Sequence, residues 1–131
     1  ARGTTAALSR SVYFTTNITG TNYSSTWLIG NGSAAASSRY SNIGQGYLGY
    51  IPAGLSSSDS RGTLIANFMN YSNTTTYKTV LSRGNVAEAE VDAYVSLIRG
   101  TSALTTITVG EGGGNNFVAG STFNLYGILA A

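Results

Sequence analysis

Residues 85–99 read NVAEAEVDAYVSLIR, and the way this stretch folds decides the class of the whole molecule. It is rich in good helix formers, and Ala87, Val91, Tyr94, Val95 and Ile98 fall at helical spacing. A two-residue period fits better. Ala89, Val91, Ala93, Val95 and Leu97 are apolar, and Glu88, Glu90, Asp92, Tyr94 and Ser96 alternate with them without a break. The pattern predicts a strand over residues 88–98 with Val91 and Val95 inside. Glu88, Glu90 and Asp92 then form a solvated stripe on the outer face, which discourages edge pairing.

Outward from that stretch the same period recurs. SVYFTTNI at residues 11–18 sets Val12, Phe14 and Ile18 against Tyr13, Thr15 and Asn17, and TLIANFMNY at 63–71 sets Leu64, Ala66 and Phe68 against Ile65, Asn67 and Met69. STWLIG, GYLGYI, TYKTVLS and LTTITV are short and rich in β-branched or aromatic residues. STFNLYGIL at 121–129 alternates Phe123 and Leu125 with Asn124 and Tyr126, and reads as an interior strand fed by the glycine-rich EGGGNN turn. GNGSAAASS, PAGLSSSDSRG and SRGN read as further turns or loops. Seven or eight short strands and no clear helix predict an all-β fold, an antiparallel β-sandwich of jelly-roll-like form, as a single domain over residues 1–131. Its expected interior holds Phe14, Leu64, Phe68, Val91, Val95, Phe123 and Leu125.

Composition narrows the chemistry. Only 9% of residues are charged, against about 25% in an average soluble domain, so hydroxyls and amides must carry solubility. The basic residues Arg2, Arg10, Arg39, Arg61, Lys78, Arg83 and Arg99 are spread singly, without the clustered basic face that nucleic acid requires. No run approaches the roughly 20 apolar residues of a membrane helix. With neither His nor Cys, the usual nucleophile, base and transition-metal ligand sets cannot be assembled. The remaining carboxylates are Asp59, Glu88, Glu90, Asp92 and Glu111, and three of them share one strand face, which does not set two carboxyls across a cleft. EGGGNN lacks the Lys-Ser/Thr and the following helix of a phosphate-binding loop. No catalytic, cofactor-binding or metal-binding residues are therefore expected.

Three blocks, NITGTNYSSTWLIGNGSAA, LIANFMNYSNTTTYKTVLSRGN and LIRGTSALTTITVGEGGGNNFVAGSTFNLYGI, resemble in that order the small β-sandwich virion proteins of tailed bacteriophages. The most specific part is Asn116-Phe117, Gly120-Ser121-Thr122-Phe123 and Leu125-Tyr126-Gly127-Ile128; next comes Asn70-Tyr71-Ser72-Asn73 followed by Lys78-Thr79. The resemblance implies a non-enzymatic structural subunit at the surface of a virion, such as a capsid decoration or cement protein or a tail component. Its partners would be other capsid or tail proteins and copies of itself, with a trimer as the first expectation by analogy. The family usually has another strand before the segment that here begins ARGTT, which implies either that this chain is a shortened one or that an edge near Ala1 to Ser11 is completed by another subunit.

The aromatic residues suggest a second class of function, a host-surface adhesin that binds glycan. Tyr40, Tyr47 and Tyr50 fall among the loop-like glycines of RYSNIGQGYLGYIPAG, where rings can stand exposed and stack on sugars. They are the expected ligand or interface aromatics. Trp27, between Thr26 and Leu28 in a short apolar strand, is expected in the core.

Overall fold

Strand β1 (Ser9–Thr16) shows how the period-two pattern becomes a core: Val12, Phe14 and Thr16 are buried, and the residues between them are only partly covered. The computed structural model describes residues 1–4 and 6–128. Among these lie seven further strands: β2 (Tyr23–Gly30), β3 (Ala35–Ile43), β4 (Gly46–Pro52), β5 (Leu64–Met69), β6 (Lys78–Val86), β7 (Glu90–Ile98) and β8 (Ile107–Glu111). They form two antiparallel sheets in the orders β4-β1-β8 and β3-β2-β7-β6-β5, packed as a β-sandwich. The expected all-β sandwich is therefore the fold. β1 pairs with β8 and β2 with β7, so the two halves of the chain close on each other, whereas β5, β6 and β7 form a meander.

Val12, Phe14, Ile18, Tyr23, Leu48, Ile51, Val80, Ile98 and Leu104 pack as the core. Phe14 is fully buried and meets Tyr23 and Phe68 edge-on, at 5.8 and 5.1 Å between ring centres. The Tyr23 hydroxyl does not strand its polar end inside: it donates to Ile18 O and accepts from Thr16 N–H at 3.0 Å. Lys78, also fully buried, donates from Nζ to Thr76 O and Thr101 O, tying two loops to the start of β6.

Several expectations are corrected. Over β7 the two-residue period is right and the facing is reversed. Asp92, Tyr94, Ser96 and Ile98 are buried, while Val91 is 62% exposed and Val95 is exposed beside it. Glu88 lies before the strand and accepts from Ser57 N–H, so the three carboxylates form no solvated stripe. The cause lies in the opposite sheet. β4 is an edge strand, yet its free edge faces β2 and β7 rather than water. Tyr47 N–H donates to Ser25 Oγ (3.0 Å), Ser96 Oγ donates to Tyr47 O (2.9 Å), and the two serine oxygens are 2.6 Å apart. Since the Ser96 proton goes to the carbonyl, Ser25 donates to Ser96, and the ring closes with every member satisfied. Tyr50 N–H donates to Asp92 Oδ2 at 2.8 Å. Polar side chains must face inward to cap an edge, so the apolar ones face out.

This cap requires a close approach between the sheets. A Cβ at Gly49, whose φ is 145°, would stand 2.6 Å from Asp92 Oδ1, and one at Gly84 would stand 2.8 Å from the same atom and 3.0 Å from Tyr50 O. SRGN, expected as a turn, is accordingly part of β6, with Gly84 opposite Asp92. GNGSAAASS, expected as a loop, contains the start of β3, an edge strand exposed on both faces with no apolar alternation to betray it.

The expected strand at the C-terminal end is overturned. Phe117 makes an isolated bridge with Gly3, no strand follows β8 among the described residues, and Phe123 and Leu125 are exposed rather than interior. Leu129 lies outside the described residues. Of the edge expected near Ala1 to Ser11, the part within β1 from Ser9 onward is not an edge among the described residues, because β1 is the central strand of its sheet. Gly3 N–H donates to Pro52 O, Thr4 N–H to Asn116 O, and the Arg2 guanidinium to the carbonyls of Ala53, Ser56 and Ser58. Leu64 and Phe68 of the expected interior are half-buried against the core.

Candidate interaction site

The register of β2 decides where the aromatic residues meet. Trp27 pairs with Tyr94 of β7 and Ser38 of β3, which puts all three on the inward face of the five-stranded sheet. The three-stranded sheet does not extend over β3, so this end of the inner face stays partly open. Trp27 stacks on Tyr94 (5.8 Å, 14° between planes) and leans on Tyr40 (4.5 Å), which in turn meets Tyr47 of β4 at 5.5 Å. Tyr50 lies beside Tyr94, whose hydroxyl offsets part of the rise that burial causes in the Tyr50 phenol.

Tyr40, Tyr47 and Tyr50, expected together among the glycines of residues 39–54, lie in one cluster, on strands rather than in a loop. Tyr40 is the exposed ring, while Tyr47 and Tyr50 are half-buried. Trp27, expected in the core, is half-buried at the cluster's centre, and Tyr94, expected among the outward residues, is its buried base. Two carboxylates lie beneath. Burial pushes Asp92 up to about 6, against the N–H groups of Tyr50 and Gly84 that favour its charged form, with Glu90 adding to the rise. Burial likewise raises Tyr94 and Tyr50, with nearby carboxylates contributing, so both phenols stay protonated as neutral hydrogen-bonding groups at ordinary pH. The cluster offers ring surface, hydroxyls and an acidic floor, which suits a neutral polyhydroxylated ligand and repels an anion.

A larger surface lies on the opposite side of the same sheet. Leu28 of β2, Leu81 of β6, Val91 and Val95 of β7, and Ile65 and Met69 of β5 are all exposed there. Ala93, small and central, leaves two shallow depressions of about 330 and 410 Å³, one against Ile65, Asn67, Leu81 and the exposed Arg83 and the other against Thr26, Leu28, Ser37 and Val95. Isolated exposed apolar residues are common, whereas a run of them across four neighbouring strands, interrupted by Arg83 and Asn67, is a candidate contact surface. The sequence concealed it because the period-two signal is identical whichever face is turned inward.

The third surface is the segment after Val118. Phe123 packs on Phe117 (4.9 Å), and Leu125, Tyr126 and Ile128 are each 83% exposed. The chain therefore shows an apolar sheet face on one sheet and an apolar arm rooted at the strand ends of the other. Compared with protein-family models, curated proteins and solved structures, the chain has no match.

Proposed function

We propose that this protein is a non-enzymatic structural subunit that works by burying surface against neighbouring subunits at the outside of a protein particle. The observation that carries this reading is the exposed apolar outer face of the five-stranded sheet, on a chain in which only 9% of residues are charged. The resemblance of its sequence blocks to small virion proteins of tailed bacteriophages supports placing it on such a virion, as a capsid decoration or cement protein or a tail component.

The test is a comparison of particles with and without the protein. A subunit that binds only the assembled state stabilises that state by mass action, so deletion particles should lose resistance to heat and osmotic shock while adsorbing to cells normally. Deletion particles that are fully robust would overturn the reading.

A second reading, glycan binding, is favoured by the Trp27, Tyr40, Tyr47 and Tyr50 cluster with its neutral hydroxyls. Under that reading, Tyr40→Ala abolishes cell or glycan-array binding and leaves particle stability intact.

A further inference from the structure

We infer that the C-terminal arm, Ser121 to Ile128, docks on the outer apolar face of the five-stranded sheet of a second copy of this chain, so that copies join head to tail. The inference rests on the assembly reading above and names the partner of that surface.

Neither surface is covered within one chain, and their placement explains why. Phe117 is bridged to Gly3, Gly3 is bonded to Pro52 at the end of β4, and Val118 N–H donates to Arg2 O, so the arm starts at the strand ends of the three-stranded sheet. Phe123 turns back onto Phe117. From there to Ile128 the backbone spans at most about 17 Å when fully extended. The target face looks away from the three-stranded sheet, beyond an inter-sheet spacing of about 10 Å and a further layer of side chains, and is reached only around the edge of the sandwich. A second copy meets no such obstacle.

The two surfaces match in chemistry. The arm carries Phe123, Leu125, Tyr126 and Ile128 and has no ionisable group other than the Tyr126 phenol. Leu28, Leu81 and Val95 line the two depressions on either side of Ala93, each depression has room for a large side chain of the arm, and Arg83 in the first meets no like charge because residues 121–128 carry none. The four exposed side chains, two aromatic and two aliphatic, present on the order of 500 Å², a contact smaller than the roughly 800 Å² per partner of a standard interface, so the association depends on concentration. Because arm and face are different patches, the contact is heterologous, and repeated copies close into a ring or extend as a filament.

Complementation provides the test. An arm-less variant ending at Gly120 and a face variant, Leu81→Asp, should each be monomeric by sedimentation at concentrations where the intact chain associates. Mixed, they should form a one-to-one dimer and nothing larger, because one intact arm and one intact face are left between them. A synthetic peptide of residues 120–128 should bind the arm-less variant, with at least tenfold weaker binding to the arm-less Leu81→Asp chain and for the Phe123→Ala peptide. Circular dichroism and thermal melts unchanged from the intact chain establish that both variants are folded, and Val95→Asp serves as a second face variant if Leu81→Asp melts early. An arm-less chain that still associates, or a mixture that stays monomeric, overturns the inference. A chain that shows arm exchange while its particles are unaffected by its loss overturns the particle reading and leaves the exchange standing.

Discussion

At the scale of single residues, the distinctive chemistry is the polar cap on the free edge of β4. Ser25 and Ser96 are fully buried and act only through each other and Tyr47. Ser96→Ala leaves the Tyr47 carbonyl and the Ser25 proton without their partner, and should cost about 1–3 kcal/mol in urea unfolding. Adding Ser25→Ala should cost less than the sum of the two single changes, because the first change already breaks the ring. Asp92 gives a pH signature. Its folded-state value of about 6 lies above the ordinary 3.8, so the native state holds this proton more tightly than the unfolded chain does. Its contribution to stability is therefore fully present below about pH 4 and is lost as pH rises through 6. Thermal melts of the intact chain and of Asp92→Asn between pH 4 and 7 should diverge, with the intact chain losing stability relative to the variant as pH increases.

At the scale of elements, burial separates strands that look alike in sequence. SVYFTTNI and STFNLYGIL both alternate, but Phe14 is fully enclosed while Phe123 stands at the surface. Phe14→Ala should cost about 3–5 kcal/mol, the range for removing a buried ring. Phe123→Ala should change the stability of the single chain by about 0.5 kcal/mol or less. Equal losses from the two changes would place the arm in the interior. β7 teaches a related lesson. Its helix-like composition yields to β pairing on both sides, with β2 and with the preceding strand β6.

For the whole molecule, the unequal sheets set what is left uncovered. Three strands over five leave the inner face open near β3, where Tyr40 meets Trp27 and Tyr47, and the cap on β4 turns an apolar face outward. An assembly subunit needs the second feature and an adhesin the first, so the two surfaces can be tested separately. Leu28→Asp should leave glycan binding unchanged and abolish self-association in sedimentation, whereas Tyr40→Ala should do the reverse.

The sequence by itself determined the class of structure, because a two-residue period, β-branched composition and glycine-rich breaks are local properties that need no partner to be read. It also marked Tyr40, Tyr47 and Tyr50, since aromatic residues among glycines are visible as composition. It could not determine which way β7 faces: the period is symmetric between inside and outside, and hydrophobicity alone favours Val91 and Val95 as the buried set. The tertiary structure decided that question, because an edge strand laid against the opposite sheet had backbone groups to satisfy, and Ser25, Ser96 and Asp92 were positioned to satisfy them. The same requirement brought Tyr94 beneath Trp27 and placed Leu28, Leu81 and Val95 on the surface. The faces that this protein leaves at its surface are thus a consequence of where its backbone hydrogen bonds had to be completed.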